Sequence, residues 1–218
     1  MNDEQSALKV AEFLLKLKAV ELSPSAPFTW ASGMKSPIYC DNRKTLSFPE
    51  IRDFLRDRFA AIVSEKYGTP DVIAGVATGG IALGALVAQA LNLPFIYVRS
   101  EAKKHGLGNK VEGVLEKGQK VVVIEDLVST GKSSLNAVAA LREAGAEVLG
   151  MVAIFTYNFA KAADNFEQSS CKLSTLTDYD TLLKQALQSN YINDEQVSSL
   201  RDWKGNPEKW SEAFSVNI

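Results

Sequence analysis

The stretch Lys120-Val-Val-Val-Ile-Glu125-Asp126-Leu-Val-Ser129-Thr130-Gly131-Lys132-Ser133-Ser134 decides how this chain folds. Val121–Ile124 is β-branched and apolar without alternation, as in a strand covered on both faces. Two acids, Glu125 and Asp126, close that run. A small-residue loop follows. The segment from Ser133 to Gly145 then starts among Ser and Thr, runs on Ala and Leu, and stops at a glycine, which predicts a helix. The order strand, acids, loop, helix places the acids at the carboxyl end of a parallel strand, where open α/β sheets bind ligands. The loop amides and the helix N-terminus suit a phosphate, and the acids suit ribose hydroxyls or a cation.

The same pattern also fits a plain polar turn. It does not fit a nucleotide P-loop. Gly131-Lys132-Ser133 matches the last three positions of that motif, but the glycine required five residues earlier is Asp126.

Working outward, Asp71–Ala77, Phe95–Arg99 and Val148–Tyr157 read as further strands. Ile81–Leu91 reads as a helix, and Glu4–Val20 as an amphipathic helix. Ser47-Phe-Pro49-Glu50 looks like a capping box with Pro in the first turn, opening a helix to about Lys66. Past Asn158 the chain is more polar; a short strand near Leu173 and helices around Asp178–Gln188 and Asp194–Arg201 are expected. Strands alternating with helices predict an α/β fold with a parallel-sheet core flanked by helices.

Composition removes several function classes. At 218 residues, one α/β domain with a sizeable core is expected. A net charge of -2 gives no support to bulk nucleic-acid binding. Cys40 and Cys171, far apart, make neither a disulfide framework nor a metal cluster. With His105 the only histidine, a multi-His zinc site is excluded. No signal peptide or membrane-spanning run is visible, so a cytoplasmic protein without membrane partners is expected.

Three other segments could carry chemistry. Gly75-Val-Ala77-Thr78-Gly79-Gly80 follows a strand and opens a helix, giving either a second anion loop or a tight turn; it is not a dinucleotide fingerprint. Arg99–Lys110 mixes cations with glycines, as in a loop that closes over a polyanion or in a solvated surface loop. Phe28–Arg43 interleaves aromatics, Gly, Pro and polar groups. It could wall a planar ligand, although a β-hairpin over the core is the plainer reading.

Together these segments resemble the type I phosphoribosyltransferases, and within them the orotate phosphoribosyltransferases. The resemblance runs from about Phe28 to Tyr157. Val121–Ser133 looks like the phosphoribosyl-pyrophosphate motif, which does not choose the base. Phe28-Thr-Trp-Ala-Ser-Gly-Met-Lys-Ser-Pro-Ile-Tyr39 and Glu101-Ala-Lys103-Lys104-His105-Gly106 resemble the N-terminal motif and catalytic loop of the orotate enzymes.

The resemblance implies a type I phosphoribosyltransferase-like fold in a single domain, 1–218. A small hood would span mainly 20–45 plus part of the C-terminal third, and the core about 46–160. It implies transfer of the 5-phosphoribosyl group from phosphoribosyl pyrophosphate (PRPP) to orotate, giving orotidine 5′-monophosphate and pyrophosphate in pyrimidine synthesis. By resemblance, Arg99, Lys103, His105 and Asp126 are catalytic. PRPP is held by Glu125, Asp126, Val128, Ser129, Thr130, Gly131, Lys132 and Ser133, by Thr78, Gly79 and Gly80, and by Arg99, Lys103, Lys104 and His105. Orotate lies near Ser129, Tyr39, Cys40, Ser32 and Lys35. Magnesium is implied as cofactor, carried mainly by PRPP, with Glu125 or Asp126 the nearest protein groups and no protein metal site assigned. A strained or cis peptide near Ala77–Thr78 and a homodimer whose loop acts in trans are also implied.

The chain departs from the better-known pattern of this family. Ala31, Thr78 and Ser100 stand where lysines are usual, and an arginine expected near Thr156–Tyr157 is missing. Lys35, Lys104 and Lys132 can compensate in part, and backbone amides with Lys35 or Arg43 become the expected partners of the orotate carboxylate. Two alternatives share the fold: a phosphoribosyl-binding regulator without turnover, and a purine phosphoribosyltransferase.

Overall fold

The computed structural model describes residues 3–30, 33–100 and 110–215. In chain order they form helix α1 (Asp3–Lys16), strands β1 (Val20–Leu22), β2 (Phe28–Thr29), β3 (Lys35–Ser36) and β4 (Ile38–Cys40), and a 3-10 helix (Asn42–Ser47). Then come α2 (Pro49–Tyr67), β5 (Val72–Val76), α3 (Gly79–Leu91), β6 (Phe95–Val98), β7 (Val111–Glu112), β8 (Lys120–Val128) and α4 (Lys132–Glu143). The chain ends with β9 (Glu147–Thr156), α5 (Ala160–Gln168), β10 (Leu173–Asp178), α6 (Tyr179–Gln188), α7 (Asp194–Gly205) and α8 (Pro207–Ser215). Two compact units result: Leu46–Leu176, and Met1–Thr45 with Thr177–Ile218.

The larger unit is built on a six-stranded sheet in the order β10-β9-β8-β5-β6-β7. Strands β5, β6, β8 and β9 pair in parallel. Their β-branched residues alternate between two apolar faces, so both faces are covered. Val72, Ala74, Val121, Val123, Met151 and Ala153 pack with Ala137, Val138 and Leu141 of α4 and Phe166 of α5. The chain passes from β5 to β6 on one side and returns to β8 on the other. The order therefore reverses between β5 and β8, which is the topological switch point where such sheets bind ligands.

Glycines bring α3 against the sheet. A Cβ at Gly75 would stand 2.6 Å from the Gly80 carbonyl oxygen, and one at Gly84 would stand 2.8 Å from the Phe95 ring. Tyr67, at the end of α2, clasps the far side of the sheet. Its hydroxyl lies 3.1 Å from the Met151 carbonyl oxygen and 3.0 Å from the Ser174 hydroxyl. Burial pushes its ionisation upward.

In the smaller unit, β1 pairs antiparallel with β4, and β2 with β3. The hairpin expected in Phe28–Arg43 is therefore present as these short pairs. Buried Trp203 packs edge-on against Trp30 at 6.0 Å and beside Tyr179 at 5.6 Å. Asn193 and Gln196 cap α7 reciprocally.

Several expectations are corrected. The first helix ends at Lys16, because Lys18 takes a left-handed φ of 51° and Val20 enters β1. Ser47 caps nothing on α2. It belongs to the 3-10 helix, and extended Phe48 stands before Pro49, as the residue preceding a proline tends to. The expected parallel core is present, with β7 added antiparallel to β6 at its edge. Helices α5 and α8 were not foreseen. Strand β8 does not stop before the acids: it runs to Val128, sustained by pairing with β9 through Val128 and Thr156.

Candidate active site

The acids emerge because β8 outruns one neighbour. Its pairing with β5 ends at Gly75 and Ile124, while its pairing with β9 continues. Beyond Ile124 the side vacated by β5 is taken by residues 77–80. Gly80 lies directly against the Ile124 carbonyl, and Gly79 against the Asp126 carboxylate, with no room for a Cβ at either glycine. The Ala77–Thr78 peptide is cis.

The two acids are unequal. Glu125 is 5% exposed. Its Oε2 accepts the Ser134 hydroxyl at 2.9 Å, and its Oε1 accepts the Asp126 backbone N–H at 3.0 Å. Burial, the adjacent Asp126 charge and a side-chain hydrogen bond to Asp126 push Glu125 up to about 8. It therefore holds its proton more tightly than an ordinary carboxyl group does. Asp126 is half-buried and presents its carboxylate beside Gly79.

Past the strand, Gly131 adopts φ 80° and starts α4 with no side-chain cap. That leaves first-turn amides for a ligand. The loop is braced from behind: Asn165 donates to the Thr130 carbonyl at 2.8 Å, and a Cβ on Gly131 would meet the Phe166 ring. Leu127, Ser129, Thr130, Gly131, Lys132, Ser133 and Asn136 line a cavity of about 430 Å³. Lys132 and Ser133 are exposed, whereas Val128 is buried and can contribute only its backbone.

Arg99 follows β6. Its N–H donates to the Lys110 carbonyl at 2.9 Å, and its guanidinium pairs with Glu112 at 3.4 Å. Arg99 and Lys110 share a small cavity of about 80 Å³ with Ala77, Ser133 and Asn136. The larger unit thus gathers Thr78–Gly80, Arg99, Glu125, Asp126 and Ser129–Ser133 at one end of its sheet. Lys103, Lys104, His105 and Ser32 lie outside the described residues.

The other residues expected at orotate stand in the smaller unit. Tyr39 is 41% exposed, with its ring 5.7 Å from that of Phe28. The Cys40 thiol donates to Asn42 Oδ1 at 3.3 Å. Lys35 Nζ donates to the Thr29 hydroxyl at 2.9 Å. Arg43 binds Asp41 at 2.7 Å, and the guanidinium holds that carboxyl below its usual range.

Sequence reasoning missed Ser134, Asn165, Glu112 and Asn136. The spacing of Ser134 to Glu125 carried no motif. Asn165 belongs to a helix that was not foreseen.

Among the described residues no three His, Cys, Asp or Glu side chains gather to hold a metal, and no helix is long and apolar enough to cross a membrane.

Residues 49–182 match the model of the phosphoribosyl transferase domain. The chain is 58% identical over 202 residues to an orotate phosphoribosyltransferase of Listeria monocytogenes, covering 93% of this chain and 97% of that protein. It is 57% identical over 201 residues to an orotate phosphoribosyltransferase of Porphyromonas gingivalis, covering 92% and 96%. Among solved structures, the orotate phosphoribosyltransferase of Aeropyrum pernix superposes with a TM-score of 0.73 at 28% identity, covering 84% of this chain and 99% of that one.

Proposed function

We infer the roles of these residues from one premise: the chain belongs to the phosphoribosyltransferase family. It transfers the 5-phosphoribosyl group of PRPP to orotate, giving orotidine 5′-monophosphate and pyrophosphate, a step of pyrimidine synthesis. The observation that carries the assignment of roles is the placement of Asp126 at the sheet's switch point, between the 77–80 loop and the start of α4.

As pyrophosphate departs, the sugar carbon becomes cation-like. The protein must hold the sugar in line and neutralise the leaving group. The exposed side of Asp126 takes the ribose hydroxyls, and its charge favours positive charge on the ring. The amides of Ser129–Ser133 and the free first turn of α4 hold the 5′-phosphate, with the hydroxyls of Ser129, Thr130 and Ser133 adding donors. Thr78, Gly79 and Gly80 face the pyrophosphate through their backbone. Arg99, Lys103, Lys104 and His105 supply the positive charge that this leaving group requires.

Magnesium fits as a substrate-borne ion. The protein offers one half-buried carboxylate, Asp126, and Glu125 is tied up by Ser134 and the Asp126 amide. Mg²⁺ favours substrate phosphates and water over an all-protein cage. When bound, it would neutralise pyrophosphate charge. In the smaller unit, Lys35 is a better partner for the orotate carboxylate than Arg43, because Asp41 already neutralises Arg43. A homodimer with the 99–110 loop acting in trans, and a cytoplasmic location, complete the proposal.

Orotate consumption, followed by ultraviolet absorbance with PRPP and magnesium, tests the reading. Loss of orotate only in the complete mixture supports it. Turnover with adenine or hypoxanthine in place of orotate overturns the base assignment. For the dimer, Asp126→Asn and Lys103→Ala subunits are mixed. Recovered activity supports action in trans, and none in verified heterodimers refutes it.

A further inference from the structure

Glu125, next to Asp126 in sequence, is buried, and one side chain from α4 anchors it. Ser134 is 1% exposed, in the first turn of α4, and its hydroxyl donates to Glu125 at 2.9 Å. The other Glu125 oxygen takes the Asp126 backbone N–H at 3.0 Å. An aspartate at position 125 would be one methylene shorter and could not span this gap without backbone movement. The contacts form a chain: α4, Ser134, Glu125, the Asp126 backbone, and then the Asp126 carboxylate against Gly79.

We propose that Ser134 is a positioning residue that ties the phosphate-holding turn of α4 to the sugar-holding carboxylate of Asp126, acting through Glu125. The inference rests on the roles assigned above to Asp126 and α4. Ser133 lines the anion cavity and Ser134 is its neighbour on the same turn. The 5′-phosphate seat and the acid that meets the ribose are thereby held at fixed separation, so that one substrate molecule meets both at once. A side chain that touches no ligand thus sets how well two distant parts of PRPP are met together.

The test uses full-length protein with Ser134→Ala, Ser134→Cys, Glu125→Gln and the Ser134→Ala/Glu125→Gln double variant. Each is assayed for kcat and for KM toward PRPP and toward orotate. Losing one hydrogen bond to a carboxyl group should weaken PRPP use by roughly tenfold in Ser134→Ala. The KM for orotate should change less than about twofold, and Ser134→Cys, which keeps a weak donor, should recover part of the loss. The double variant should be no worse than the poorer single, because both substitutions cut one path. Multiplied losses in the double variant, or equal rises in both KM values, would overturn the proposal. If Ser134→Ala does not fold, the Cys and Gln variants and their double carry the same comparison. Wild-type turnover is measured first. An inactive wild type defeats the functional reading, whereas an active wild type with an unchanged Ser134→Ala defeats only this inference.

Discussion

Two glycine-bearing loops follow neighbouring strands, and only the second adds a left-handed backbone to the lack of space for a Cβ. After β5, Gly79 and Gly80 are needed for lack of space: the Asp126 carboxylate and the Ile124 carbonyl occupy the volume of any Cβ. After β8, Gly131 is needed for conformation as well as space: φ 80° bends the chain into α4 beside an open cavity, and a Cβ would stand 2.7 Å from the buried Phe166 ring. The first loop is defined by what the protein pushes against it. The second is packed from behind by Phe166 and Asn165 and left open on its cavity side. Substitution in the first should disturb chemistry, and substitution in the second should disturb stability.

Gly79→Ala breaks this comparison most sharply. Its methyl must displace Asp126, so kcat/KM should fall at least about 100-fold with the far-ultraviolet circular dichroism unchanged. Near wild-type activity would mean that the two groups do not press on each other. Glu125→Gln comes next, read by melting temperature against pH. Folded Glu125 keeps its proton up to about 8, whereas the unfolded chain releases it near 4.5. The folded state binds the extra proton, so this group's contribution to stability falls as pH rises from about 4.5 to 8 and levels off above. The Gln variant should lose that slope, gaining on wild type as pH rises through this window; parallel curves would refute it.

Gly131→Ala should cost about 2–4 kcal/mol, for a left-handed alanine whose methyl also meets the Phe166 ring, lowering the melting point by roughly 2–4 °C per kcal/mol. Its kcat at a permissive temperature should stay within about fivefold of wild type. A collapse of kcat without loss of stability would erase the distinction between the loops. The smallest effect belongs to Lys132→Ala. A cation at a helix N-terminus is electrostatically misplaced, so its removal should raise the melting point slightly. The KM for PRPP should rise about two- to fivefold, because the exposed amine lines the anion cavity.

The residues that were legible beforehand share one property: their signal is local. The run Val121–Ile124, the stop at Gly145 and the glycines after Val76 fix strands, helix ends and loops within a few positions. The burial of Glu125 was not legible, because it depends on how far β8 runs alongside β9, a pairing between distant segments. Nor did the sequence rank Lys35 above Arg43. That ranking needed Asp41 to be seen holding the guanidinium. The bracing of Thr130 by Asn165 depends on α5, a nine-residue helix too short for its Ala162–Phe166 spacing to stand out in a polar segment. Lys103, Lys104, His105 and Ser32 were named from resemblance and rest on it still.

The contact between Gly79 and Asp126 has a consequence for how such a chain can drift. Two positions 47 residues apart in sequence occupy one volume. A larger residue at 79 is admissible only with a smaller one at 126, and the smaller one lacks the carboxylate. No single-step path leads from this pair to another working pair. A randomised library of both positions, selected for growth without supplied pyrimidine, should return the starting combination almost alone, while positions such as 132 scatter freely.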